Sequence, residues 1–240
     1  MPNTYFTFKQ FTIHQAHSAM KVCTDSCLLG SILPLHNTTL DPVINVLDIG
    51  TGTGLLSLQY AQRNTACSII ALEIEKNAAA EATKNVRNSP YAHAIKVQEQ
   101  DYITYKPTVL FDLIICNPPF YNNELKSSST IKNIAHHSTM LTVEQILSLA
   151  STQLAPNGII TLLLPHKRLQ GVMLLIHQLH LHVHTNYTIH QDERMLPFRT
   201  IVHLTKTHVA TVTSHTILIK QNQEYSQAFT ALLSPYYMHM

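Results

Sequence analysis

From residue 43 onward, short runs of branched apolar residues alternate with stretches whose apolar positions recur every three or four residues. No other feature constrains the fold as strongly. Strands separated by helices cannot pair as hairpins, so they line up in a parallel sheet with helices on its faces. The predicted strands are Val43 to Ile49, Ser68 to Glu73, Ala94 to Gln98, Phe111 to Cys116 and Ile159 to Leu164. One helix should follow Gly54, where Leu55, Leu56, Leu58 and Ala61 recur; others should run from Lys76 to Arg87, Thr142 to Leu154 and roughly Arg168 to Leu179. Pro156-Asn157-Gly158 is read as the stop of the third of these. After residue 181 the pattern changes. His182 to Ile189, Thr200 to Lys206 and Thr213 to Lys220 read as strands joined only by loops, hence antiparallel, and a last helix spans about Glu224 to Leu233.

The chain has 240 residues, 45 % of them hydrophobic and 12 % charged, which suits one globular domain with a sizeable core. No apolar run approaches the roughly 20 residues that span a bilayer, and the opening Met-Pro-Asn-Thr lacks the basic-then-apolar layout of a secretory signal. A cytoplasmic location and no membrane partner are expected. Cys23, Cys27, Cys67 and Cys116 form no dense disulfide framework, in keeping with a reducing compartment. A net charge of only +2 excludes a generic polyanion binder, so any nucleic-acid role needs a local patch. The polar stretch Asn122 to Lys132 is the expected mobile loop.

Three glycines at alternate positions, Gly50, Gly52 and Gly54, separate the first predicted strand of this region from its helix. Glycines there permit a tight turn and close approach of the backbone to a ligand, and the helix N-terminus offers unpaired donors. Glu73 closes the next strand, where an acid can accept both hydroxyls of a ribose. Asp101 and Tyr102 follow the third strand, at the edge where such sheets bind ligands. The fourth strand runs into Cys116-Asn117-Pro118-Pro119-Phe120, whose two prolines remove two donors and leave rigid, free carbonyls. His14, His17, Cys23 and Cys27 are loosely spaced like zinc ligands, which leaves a metal- or RNA-binding module without catalysis as a rival reading; no metal site is assigned.

Asp48-Ile49-Gly50-Thr51-Gly52-Thr53-Gly54 resembles motif I of class I S-adenosylmethionine-dependent methyltransferases, and Asn117-Pro118-Pro119-Phe120 resembles motif IV of those that modify a planar amine or amide nitrogen. The N-terminal Phe8-Lys9-Gln10-Phe11 and Met20-Lys21-Val22-Cys23-Thr24-Asp25, with Leu28-Leu29-Gly30, are similar to stretches of the bacterial valine-tRNA adenine-37 N6-methyltransferases. So is the tail from Glu224 to Tyr237, and the resemblance covers nearly the whole chain.

The resemblance implies a Rossmann-like fold: a mostly parallel seven-stranded sheet with antiparallel C-terminal strands and helices on both faces. It implies a segment 1–42 covering the cofactor, a cofactor-binding core 43–181, and a region 182–240 of strands and helix. It further implies S-adenosylmethionine as methyl donor, leaving S-adenosylhomocysteine, and adenine 37 in the anticodon loop of a valine tRNA as acceptor, with no obligate protein partner. The cofactor contacts would be Lys21, Thr24, Asp25, Asp48, Gly50, Thr51, Gly52, Gly54, Glu73, Asp101, Tyr102 and Asn117. Asn117 and Pro118 would accept the two N–H groups of the amine, and Phe120 would stack on the base. Without the family, Thr24 and Asp25 read as ordinary helix caps. Where that family often has an Arg-His pair after the loop, this chain has Ala135-His136-His137, leaving Lys126, Lys132, Lys167, Arg168, Arg194 and Arg199 as candidate phosphate contacts. Protein-glutamine and ribosomal guanine N2-methyltransferases share the motif IV pattern and are the alternative readings.

Overall fold

The computed structural model describes residues 3–35, 43–118 and 141–240. A hairpin of β1 (Tyr5–Thr7) and β2 (Thr12–His14) opens the chain, followed by α1 (Thr24–Ser31). Then come β3 (Ile44–Ile49), α2 (Leu55–Arg63), β4 (Cys67–Glu73), α3 (Lys76–Arg87), β5 (Ile95–Glu99) and β6 (Phe111–Cys116). The second half holds α4 (Val143–Gln153), β7 (Leu154–Pro165), α5 (Leu169–Gln178), β8 (His182–His190), β9 (Arg199–Thr205) and β10 (Thr213–Leu218). A small pair, β11 (Lys220–Gln221) and β12 (Glu224–Tyr225), precedes α6 (Gln227–Leu233).

The main sheet runs β5-β4-β3-β6-β7-β9-β8-β10. From β3 the chain builds outward through β4 to β5, then returns to the other side of β3 for β6 and β7, all in parallel. The order therefore reverses between β3 and β6, and a crevice opens outside their carboxyl ends. One face of the sheet packs Val46, Leu113 and Ile115 under α1, α2 and α6, and the other packs Leu47, Ile114 and Leu162 under α4 and α5. Burial on both faces explains why these strands read as unbroken apolar runs rather than alternating ones.

Four expectations of the fold are corrected. Among the described residues the main sheet has eight strands, not seven, because β10 adds an edge. β9 lies antiparallel between β7 and β8, but β10 pairs in parallel with β8. The short link from β9 to β10 stays at one end of the sheet and passes β8, so β10 runs against its sequence neighbour yet along its sheet neighbour. The last helix starts at Gln227, because Glu224 and Tyr225 pair with Lys220 and Gln221, and the Ser226 hydroxyl caps it by accepting from the Phe229 N–H at 3.1 Å.

Pro156-Asn157-Gly158 does not end a helix outside the sheet; it lies within β7. Leu154 already pairs with Phe111, and the register slips before Ile159 pairs with Leu113. A Cβ on Gly158 would stand 2.8 Å from the Phe111 carbonyl oxygen, so the bulge requires glycine. α4 ends at Gln153 and begins with a capping box between Thr142 and Gln145. The hairpin β1-β2 is tied to the tail: the Lys9 N–H donates to the Tyr236 carbonyl at 2.7 Å, and the Phe8 and Tyr237 rings pack 5.8 Å apart. Among the described residues no helix is long and apolar enough to cross a membrane.

His203 on β9 is 4 % exposed, and its Nε2 has no hydrogen-bond partner among the described residues. Burial, with His184 and His215 nearby, depresses its pKa from 6.5 to about 4. A depressed histidine pKa stabilises the fold in full above the unfolded value, and that stability is lost as pH falls through the folded one. Unfolding measured at pH 7 and at pH 4 should therefore show an acid-dependent loss of about 3 kcal/mol attributable to this ring. His203→Leu should lack that component, and an unchanged pH profile in this variant would contradict the assignment.

Candidate active site

β3 ends in a turn whose three glycines, at φ +67°, +57° and +84°, all occupy the left-handed region. Nothing lies within 4 Å of a Cβ added at Gly50 or Gly52, so glycine is required there by backbone conformation, and the space beside it stays open. The turn is braced from below by Asp48, which is fully buried and accepts from the Thr51 hydroxyl at 2.6 Å and the Ser57 hydroxyl at 2.7 Å. Burial raises its pKa, against the pull of those two bonds. From the side, the Gly52 N–H donates to Glu73 Oε2 at 2.9 Å, and the Glu75 N–H donates to Oε1 at 3.0 Å. The Glu73 carboxylate is thus fixed at the end of β4, with acceptor capacity left on both oxygens.

Two cavities open on this turn. The first, about 210 Å³, is walled by Leu72, Ile103 and Ile146 and edged by Glu73, Asp101 and Asn117, with Gly50, Tyr102 and Pro118 also in its lining. The second, about 140 Å³, lies between the glycine turn at Gly50, Thr51 and Gly52 and the N-terminal residues Met20, Lys21 and Ser26. Gly50 and Asn117 line both, so the two form one crevice pinched at the ends of β3 and β6. At the pinch, the Asn117 side chain donates through Nδ2 to Ser26 Oγ at 3.2 Å and to Met20 Sδ at 3.4 Å. Its Oδ1 is buried and has no partner among the described residues.

The chain therefore brings together Lys21, Gly50, Thr51, Gly52, Glu73, Asp101, Tyr102, Asn117 and Pro118. Asp101 also caps a short turn by accepting from the Ile103 N–H at 2.9 Å, and Tyr102 is anchored through its hydroxyl to Gln153 at 3.0 Å. Asp48, Gly54, Thr24 and Asp25 line neither cavity. Gly54 caps α2, and Asp25 pairs with Arg199 at 2.7 Å. Phe120, and the stretch Asn122 to Lys132, fall outside the described residues. Burial pushes the Cys27 thiol up to about 12, and among the described residues no three His, Cys, Asp or Glu side chains are grouped so as to hold a metal ion.

Two residues that the sequence reading passed over hold the crevice together. Glu81, buried on α3, accepts from three successive backbone N–H groups, Ala16 at 2.7 Å, His17 at 3.2 Å and Ser18 at 2.9 Å, and from the Ser18 hydroxyl at 2.8 Å. Burial works against its charge, but those four donors outweigh it and lower the pKa. One turn further, Asn85 accepts from the His14 N–H at 2.9 Å and donates to the His14 carbonyl at 2.8 Å and the Thr53 carbonyl at 2.9 Å. The signal was present: both are polar residues set four apart on the stripe that also carries Ala78, Ala82 and Val86.

The family model for the methyltransferase small domain matches residues 11–179. A tRNA1(Val) (adenine(37)-N6)-methyltransferase of Cytophaga hutchinsonii is 36 % identical over the whole of both chains. One of Parabacteroides distasonis is 34 % identical, again over the whole of both. Among solved structures, a protein described as a predicted O-methyltransferase from Agrobacterium tumefaciens superposes with a TM-score of 0.67 at 17 % identity, covering 88 % of this chain and 96 % of that one. The methyltransferase subunit of a type I restriction-modification system from Streptococcus thermophilus gives 0.60 at 14 % identity, covering 97 % of this chain and 55 % of its own. At such identities the structures establish the fold alone.

Asn85→Ala should leave two carbonyls and one N–H unpaired inside the protein, at a cost of roughly 1–3 kcal/mol in urea unfolding. A variant as stable as the parent would show that this clamp is dispensable.

Proposed function

The chain belongs to the family of the tRNA1(Val) (adenine(37)-N6)-methyltransferases and is a methyltransferase, and from that premise we propose that it methylates N6 of an adenine in tRNA, adenine 37 of a valine tRNA. The methyl donor in this reading is S-adenosylmethionine, which when bound supplies a methyl group activated by its positive sulfur. The crevice suits such a molecule: an open glycine turn, an acid fixed at the end of β4, and a buried acceptor where the two cavities meet. Glu73 would accept from ribose hydroxyls, and Asp101 with Tyr102 would border the adenine ring in the largely apolar first cavity. Gly50 to Gly52 and Lys21 would line the remainder in the second.

The observation that carries the reading is Asn117 Oδ1. A buried carbonyl oxygen without a donor among the described residues costs roughly 1–3 kcal/mol, and because this one belongs to a residue lining both cavities, it supports a ligand N–H there. An exocyclic amine conjugated to a purine is a poor nucleophile, because its lone pair is delocalised into the ring. Asn117 Oδ1 and the Pro118 carbonyl would accept its two N–H bonds, favour the tetrahedral nitrogen and stabilise the positive charge that develops on it. Phe120 would hold the base by stacking. Residues 1–42 would act as the covering segment, and a cytoplasmic site of action goes with a tRNA substrate. Relatives similar over the full length favour tRNA adenine over protein glutamine or ribosomal guanine.

Incubation with labelled S-adenosylmethionine and either total tRNA or release factor, followed by digestion, separates these substrates. N6-methyladenosine from the tRNA is the expected product; methylglutamine with unmodified tRNA would overturn the proposal.

A further inference from the structure

We propose that Met20 and Ser26 are positioning residues that fix which way round the Asn117 amide points. The inference rests on the amine-acceptor reading of Asn117. An amide can present either its oxygen or its NH2 group to a ligand, and only the oxygen can receive an amine N–H. Turned the wrong way, Asn117 would oppose donor to donor at the reacting nitrogen.

Ser26 alone cannot choose between the two orientations. Its hydroxyl, 5 % exposed and 3.2 Å from Asn117 Nδ2, can donate or accept. Met20 breaks the tie: a thioether sulfur carries no proton and acts only as an acceptor, so the atom facing it at 3.4 Å must be the NH2 group. Cys23 Sγ, 3.0 Å from Ser26 Oγ, can take the serine proton and leave the oxygen lone pairs for Asn117. With both N–H bonds directed at Ser26 and Met20, Oδ1 is left buried and unpartnered among the described residues, at the junction of the two cavities.

This gives the N-terminal segment a second task. Beyond lining the cavity at Met20, Lys21 and Ser26, it sets the polarity of the acceptor that meets the substrate. The clamp of Glu81 on residues 16–18 lies only two positions before Met20, so the helix that steadies the glycine turn also steadies this contact.

Two double variants test the idea at saturating S-adenosylmethionine with valine tRNA. Met20→Leu with Ser26→Ala erases the preference, and kcat should fall about twofold as the two orientations equalise. Met20→Lys with Ser26→Ala puts a donor-only group beside the amide and turns its oxygen away, and kcat should fall about tenfold or more. Thermal melting should stay near that of the parent; because both residues also line the cavity assigned to the methyl donor, its affinity shifts with them, and kcat at saturating donor isolates the effect of orientation. The ¹⁵N spectrum of the substrate-free protein gives a second readout: the Asn117 side-chain NH2 pair, assigned by its loss in Asn117→Asp, should shift in both variants. Wild-type turnover in both variants, or an NH2 pair that ignores them, overturns the inference; an inactive wild-type protein instead overturns the assignment of substrate.

Discussion

Three backbone N–H groups in a row, at residues 16, 17 and 18, converge on one carboxylate buried on α3. That contact holds the N-terminal segment across the glycine turn, and much of the crevice follows from it. Successive N–H groups pointing inward make a small anion site, and Glu81 fills it from within the protein. One turn along the helix, Asn85 ties residue 14 to the Thr53 carbonyl. The helix thereby sets the spacing between the two walls of the second cavity. Removal of either side chain would leave buried backbone groups unpaired, which is why two polar residues persist on an otherwise alanine-rich face.

The chemistry depends on where unmatched acceptors are left over. Near the glycine turn, Asp48 Oδ2 takes two hydroxyls and Glu73 takes two N–H groups, while Asp48 Oδ1 stays buried and unpartnered among the described residues, away from both cavities. Asn117 differs in its place: its donors are consumed, its oxygen is not, and it lines both cavities. In the proposed reaction, an acceptor that is already buried and unpartnered among the described residues needs little reorganisation when an amine arrives. The topology puts that acceptor in place, because the crevice forms where β3 and β6, neighbours in the sheet, lead their chains in opposite directions.

Sequence pattern carried the parallel core well. Lys76–Arg87 and Phe111–Cys116 have the limits that periodicity suggests, since an alanine stripe and a closed apolar run are local signals. Pairing was harder. That β10 lies along β8 depends on a loop that skips a strand, and hydropathy does not record this. The bulge at Gly158 likewise looks like a helix stop until Leu154 is seen against Phe111. Gly50, Glu73, Asp101 and Asn117 were legible as crevice-lining residues because the crevice opens where the strands end. Ser26 was not, because its partner is 91 positions away. Nor was the pairing of Asp25 with Arg199, 174 positions further on.

In the proposed reaction Asn117 supplies the acceptor for the amine and little of the binding of the methyl donor. Single-turnover methyl transfer by Asn117→Ala, with S-adenosylmethionine affinity measured in parallel, separates the two. The rate should fall by about 10²-fold with donor affinity within a few-fold of the parent. A variant that transfers the methyl group at the parent rate, or one that loses only donor affinity, would contradict this role for Asn117.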